Sequence, residues 1–262
     1  MEAGGLAVGL VALAGLFNNA VDCFEFVQLA RNIGKDFQTD LLKLDNAGLR
    51  LSRWGKAAGL SGQVANAQSL RSTILSTEDI PKAEELLGQV LELFKDAERE
   101  SGKFKSQAAA GDSSLLVVDT QADVDSDHRT LHEKMRELSI ERKNNTPLQQ
   151  KVKWALYKKK YFERLIADII ELVDDLIKTF PAVRQAQQDL CKEEVSEIGT
   201  NEILTNILDG IAASQDQDLH AVILEVLKKS DVGATNTWNN YNSKIMHQGG
   251  TSHVHGNQLI QF

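Results

Sequence analysis

Two cysteines, three prolines and 6% aromatic residues are all that this 262-residue chain contains of those types. Cys23 and Cys191 are too few and too far apart for a disulfide scaffold, so a reducing, cytoplasmic setting is expected. Scarce proline and aromatics favour helices over a sandwich or barrel, whose strands and turns draw on both. Basic excess is missing as well. Lys and Arg number 29 against 37 Asp and Glu, a net charge of −8, and the pI is near 5.3. A nucleic-acid binder would carry a basic footprint, so no such partner is expected. Glycine-rich phosphate loops, a nucleophile elbow, HExxH and CxxC are all absent. The carboxylates Glu171, Asp174 and Asp175 fall on the solvated side of an expected helix, and His247, His253 and His255 are joined by no cysteine or nearby carboxylate. The chain therefore does not read as an enzyme, and no cofactor or metal is implied. The N-terminus carries Glu2, no Lys or Arg, and no cleavage site before Asp22, which disfavours a signal peptide.

What the chain does have is an uncharged run, Ala3–Val21, at its very start. As a helix the run would be about 28 Å long, close to the thickness of a hydrocarbon core. Leu6, Val8, Leu10, Val11, Leu13, Leu16, Phe17 and Val21 cover every face of that helix. An all-round apolar helix belongs in a protein core or in a membrane. Its eight large side chains favour lipid by about 2–5 kcal/mol together, while four glycines and the Asn18-Asn19 pair oppose insertion. The balance is near zero, as a conditional membrane inserter requires. Gly5 and Gly9 form a GxxxG pair suited to close helix contact in lipid. Asp22 and Glu25 interrupt the run and disfavour a permanent anchor.

Beyond Val21 the spacing predicts an amphipathic helix continuing to Ile33-Gly34, then helices over 35–59, 62–75 and from Asp79, which can cap with Pro81 in the first turn. Residues 101–127 break the helical pattern, and Leu115–Val118 allow a small β hairpin. A charged helix follows at 128–142. Thr146-Pro147-Leu148-Gln149 combines a capping box with an N1 proline and opens a helix expected to run to Phe180, stopped by Pro181, as the spine of a bundle. Residues 201–208 and 216–229 supply two more helices. Lys151, Lys153, Lys158, Lys159, Lys160 and Arg164, interleaved with Trp154, Tyr157 and Tyr161, make a basic-aromatic patch. It is either a solvated helix face or a contact for anionic lipid through Lys158, Lys159 and Lys160.

From 229 to 262 the stripe disappears and the composition turns to Asn, Gln, Gly, Thr and His, with Asp231 and Lys244 the charges left after Ser230. Such a tail is disordered alone and prone to cross-β stacking. Ile245, Gln248, Gly249, Val254, Gly256, Asn257, Gln258, Leu259 and Ile260 outline strand–glycine–strand segments for an amyloid motif. A flexible, functionless C-terminus is the competing reading.

The run Ala14-Gly15-Leu16-Phe17-Asn18-Asn19, continuing through Asp22, Phe24 and Glu25 to Val27-Gln28-Leu29, closely resembles the start of the fungal HeLo domain. Arg50-Leu51-Ser52-Arg53-Trp54-Gly55, Trp154-Ala155-Leu156-Tyr157 and Phe180-Pro181 are similar to the same family in the same order. The resemblance covers roughly residues 1–228. It implies an all-α HeLo-like bundle with a small β hairpin, a membrane-inserting segment within 1–33, and a prion or amyloid-forming tail at 229–262. It also implies programmed cell death in heterokaryon incompatibility. Amyloid conversion of the tail, templated by a NOD-like receptor carrying a matching motif, would release the N-terminal segment into the plasma membrane. Self-association would run through the tail and the helical domain. The alternative is a non-toxic adaptor or inhibitor of the same family that joins amyloid without forming pores. The tail here has room for one motif where the incompatibility-prion members of that family carry two long pseudo-repeats, and it looks more like other short fungal amyloid-signalling motifs.

Overall fold

A computed structural model describes residues 2–31, 36–62, 73–109, 111–145, 153–198 and 201–228, with side chains from residue 9. The element order is α1 (Glu2–Phe26), β1 (Val27–Leu29), α2 (Phe37–Ala57), α3 (Asp79–Gln107), α4 (Ser126–Glu141), β2 (Trp154–Leu156), α5 (Lys159–Thr179), α6 (Arg184–Ile198) and α7 (Glu202–Gln215). Short 3₁₀ turns lie at Ser113–Leu115 and Pro181–Val183. A last helix, α8, spans 217–228. The chain divides into two compact units, 1–220 and 221–262. The tail residues assigned to the amyloid motif, and His247, His253 and His255, lie outside the described residues.

The spine of the bundle is α2, where the sequence pattern pointed to the segment ending at Phe180. Fifteen of the 21 residues of α2 are buried, and the helix packs on α1, α4, α5, α6 and α7. Its end is set by Gly59, which takes φ +81° while Leu60 N–H bonds back to Gly55 O at 2.9 Å. That left-handed stop suits glycine because it has no Cβ.

Several boundaries differ from the sequence pattern, each for a tertiary reason. The first helix ends at Phe26 and does not reach residue 33, because Val27–Leu29 pair in parallel with Trp154–Leu156. The same pairing removes residues 154–156 from the expected long helix, leaving α5 to start at Lys159. In place of a hairpin, Val117 bridges Ala30 in antiparallel fashion, with Arg31 N–H on Leu116 O and Val118 N–H on Leu29 O, both 2.8 Å. Helix α3 continues to Gln107, and Ser101 in that extension donates its hydroxyl to Ala155 O of β2. Asp79 does not cap it. The Asp79 carboxylate accepts the Ser76 N–H and hydroxyl at 2.8 and 2.7 Å, and these bonds lower its pKa. Pro181 ends α5 as expected, but the chain re-enters a helix at once. The whole of α6 lies outside the helices expected from the sequence, although Gln187, Leu190, Cys191, Glu194, Val195 and Ile198 recur at helical spacing on its buried side. The capping box at 146–149, Gly34 and most of the expected 62–75 helix lie outside the described residues.

Glycine decides one contact in this core. A Cβ on Gly55 would lie 2.1 Å from the Phe17 ring of α1, far inside van der Waals contact. A Cβ on Gly88, in the middle of α3, would meet nothing within 4 Å. Gly55→Ala should therefore destabilise the domain by about 1–3 kcal/mol through overpacking. Gly88→Ala should instead stabilise it by about 0.8 kcal/mol through helix propensity. Thermal or urea unfolding of the pair checks both signs.

Candidate functional site: the seat of the N-terminal helix

Helix α1 lies in the core, packed on α3 and α2 with its C-terminal part against α4. Leu10, Leu13, Ala14, Phe17, Ala20 and Val21 are buried, Leu16 is half-buried, and Val11 faces outward at 39% exposure. The side chains of Leu6 and Val8 lie outside the described set. Among the described residues no helix is long and apolar enough to cross a membrane; in the folded domain α1 is a core helix. Phe24 also depends on a missing side chain in α2, since a Cβ on Gly48 would stand 3.1 Å from its ring. The Phe24 ring meets Phe94 of α3 edge-on, with centroids 4.9 Å apart.

Apolar packing is only half of the seat. Three polar ties join the C-terminal half of α1 to α4 and the turn after it. Asn18 and Asn144 bond reciprocally: Asn18 Nδ2 donates to Asn144 O at 2.8 Å, and Asn144 N–H donates to Asn18 Oδ1 at 2.9 Å. The Asn144 side chain then donates to Ala14 O and to Leu60 O, at 2.9 and 2.8 Å, so one buried amide ties α1 to the end of α2. Asp22, 2% exposed, pairs with Lys143. Glu25 takes a two-pronged bond from Arg136, at 3.1 and 2.5 Å. Arg136 stands beside His132, whose Nδ1 is 2.7 Å from Asp45 of α2. Burial pushes the Asp45 carboxyl above its ordinary pKa, against the pull of His132 and Arg136.

A second polar cluster fastens the other side of α2. Arg53 forks onto Glu194 of α6, at 2.9 and 2.5 Å, and reaches Asp216 at 2.9 Å. Arg142 shares Glu194, and Arg50 pairs with Asp174 at 2.5 Å. Burial works against the Arg53 charge, yet Asp216 and Glu194 together outweigh it and hold its pKa well above the usual value. Removing one partner of such a buried pair typically costs about 3–5 kcal/mol, since a charge is left desolvated and alone. Trp54 is fully buried against Phe180, centroids 5.9 Å apart. Asp174 is thus occupied by an ion pair, and no group of three metal-binding side chains occurs among the described residues.

The sequence motifs AGLFNN and LSRWG therefore meet in space, Phe17 of the first lying on Gly55 of the second. A family model described as HeLo, prion-inhibition and propagation, matches residues 5–207. The chain belongs to the HeLo family. It is 34% identical over 212 residues to heterokaryon incompatibility protein s of Podospora anserina, covering 80% of this chain and 71% of that protein. It is 33% identical over 204 residues to heterokaryon incompatibility protein S of strain S of that organism, covering 78% and 68%. The solved structure of the HET-s N-terminal domain aligns with a TM-score of 0.73 at 31% identity, spanning 83% of this chain and 97% of that one. A doubly substituted form of that domain gives the same score and identity over 82% and 98%.

Within this HeLo domain, Asn18, Asp22, Arg53 and Trp54 are buried, while Asn19, Phe24 and Glu25 are half-buried. Of the lipid-contact candidates, Lys158 and Lys160 are exposed and Lys159 is half-buried. The partners of the motif residues, namely Arg136, Lys143, Asn144, Glu194 and Asp216, were not found by sequence reasoning. No periodicity flags them, because each matters through a contact with a remote segment.

Two measurements test the seat. Burial pushes the Cys191 thiol up to about 12, with Glu194 and Asp216 adding to it and Arg53 opposing. At pH 8 the Cys191 thiolate is then scarcer than that of an ordinary thiol by about a thousandfold, and alkylation should be strongly slowed until the domain unfolds. Asn144→Ala leaves Ala14 O and Leu60 O without their side-chain donor, lowering stability by about 1–3 kcal/mol. Cys23, buried on α1, should then label faster at sub-denaturing urea while Cys191 stays protected. Equal acceleration at both would show that Asn144 supports the whole bundle and not α1 in particular.

Proposed function

We propose that this HeLo protein is a regulated cell-death executor whose N-terminal segment, within residues 1–33, is the membrane-active part. The unit of action is a helical domain over 1–228, followed by an amyloid-forming tail over 229–262. A partner with a matching motif, a NOD-like receptor by family analogy, templates the tail. Ordering of the tail crowds the attached domains and favours release of α1 toward the plasma membrane. No catalysis is involved.

The observation that carries this reading is the division of labour in the seat of α1. Transfer from a protein core to a bilayer exchanges one apolar environment for another, so Leu10, Leu13, Phe17 and Val21 lose little by the move. The terms that differ between the two states are the polar ties to Asn144, Lys143 and Arg136. Each is worth on the order of 1–3 kcal/mol, a sum that crowding and stacking of many chains can offset. Insertion would engage the whole uncharged run 3–21.

Dye release from anionic liposomes tests the proposal on the full chain, with and without preformed fibrils of the peptide 231–262. Leakage is expected only with the seed. Val11 supplies the decisive variant, because it faces outward in the fold but would sit in lipid after insertion. Val11→Asp should leave stability within about 0.5 kcal/mol yet cut seeded leakage about a hundredfold, from the roughly 3 kcal/mol penalty of Asp in a bilayer. Full leakage by this variant would remove α1 from the mechanism. Fibrils that form and recruit the chain while the liposomes stay sealed would assign it to the non-toxic adaptor class.

A further inference from the structure

Lysines near the start of α5 separate into two kinds. The half-buried Lys159 turns toward α2, its Nζ 3.8 Å from both Asp36 and Asp40. Its neighbours Lys158 and Lys160 are exposed, and neither forms an ion pair among the described residues. Their ammonium groups rest on aromatic rings instead. Lys158 Nζ lies 4.8 Å from the centroid of Phe104 and 5.8 Å from that of Tyr161, and Lys160 Nζ lies 5.0 Å from Tyr161. Glu100, held below its ordinary pKa chiefly by its 2.6 Å bond to Lys103, lies also in the field of Lys158. Leu116 is 53% exposed, next to Leu115, which packs in one small cluster with Phe104 and Tyr157.

This arrangement runs against local stability. The first turn of α5 contains no acidic residue, although a helix N-terminus favours negative side chains and disfavours lysine. On a chain of net charge −8, two exposed cations that form no ion pair among the described residues and lie over aromatic rings, with Glu100 beside them already taken by Lys103, remain available to an anionic surface. We propose that this face, contributed by α3, the 111–118 segment and the β2–α5 junction, docks the resting protein on an anionic membrane. Lipid phosphates meet Lys158 and Lys160, while the rings and Leu116 settle at headgroup depth, where amphipathic aromatics and snorkelling lysines are at home. A nucleic acid fits less well. Its bases need open ring faces to stack on, whereas these carry ammonium groups, and a flexible polyanion meets the repulsion of the rest of the chain. The inference rests on the membrane being the target, and it supplies the step before α1 moves.

The test is co-sedimentation of the unseeded full-length chain with phosphatidylcholine vesicles, with and without phosphatidylserine. Binding is expected only with the anionic lipid and should weaken as salt rises. Lys158→Ser with Lys160→Ser should lower vesicle affinity about 30-fold with unchanged thermal unfolding. Lys159→Ser, which removes a like charge from between them, should shift unfolding and leave affinity within about twofold. Equal binding to neutral vesicles, equal loss from Lys159→Ser, or tighter binding to a single-stranded oligonucleotide through the same lysines would overturn the docking face. Chains tethered to neutral vesicles by a histidine tag and nickel-chelating lipid separate the two proposals. If the double variant leaks there on seeding as the parent does, docking and insertion are distinct steps. If neither leaks while anionic binding still follows Lys158 and Lys160, the executor reading fails and the docking face stands.

Discussion

Because Gly55 has no side chain, Phe17 can lie directly on α2, and α1 comes close enough for Asn18 to reach Asn144. Both contacts are needed for a seat that is specific as well as apolar. Hydrophobic burial does not discriminate between one oily environment and another, so it cannot by itself define where a helix such as α1 belongs. Directional bonds can. The reciprocal Asn18–Asn144 pair and the Asp22 and Glu25 ion pairs are satisfied in one geometry only. They have no counterpart in a bilayer, where each would leave polar groups unpaired.

The same α2 that receives Phe17 carries Arg53 into the buried cluster of carboxylates from α6 and the residue after α7, and Arg50 onto the more exposed Asp174 of α5. Arg142, at the end of α4, joins that cluster through Glu194 and lies next to Lys143 and Asn144, which hold α1. The turn after α4 thus touches both polar systems. The ion pairs that fasten α6 and the bonds that hold the N-terminal helix therefore meet at three adjacent residues, 142–144, and α2 is common to both systems.

Much of this protein was legible without coordinates. The uncharged run at 3–21, the helical stripes of α2, α3 and α5, the stop at Pro181 and the family motifs are written in local patterns. Helix formation needs only spacing of three and four, and a motif such as LSRWG needs only adjacency. Val27–Leu29 carried no strand signal able to compete with the helix before them, and Trp154–Leu156 read as part of the long helix expected to end at Phe180. Their extended form comes from pairing with each other, an interaction that neither segment encodes alone.

The composition and order of residues alone determined that the chain is helical and that it opens on an uncharged run at 3–21. Only the tertiary structure decided which environment α1 occupies and what holds it there. It also decided which of three consecutive lysines is spent inside the fold and which two stay exposed over aromatic rings. The reason is distance along the chain. Asn18 meets Asn144 across 126 positions, Arg53 meets Glu194 across 141, and Lys159 faces Asp40 of a helix more than a hundred residues earlier. Contacts of that span leave no periodic trace, because they are selected by the packing of whole helices against α2.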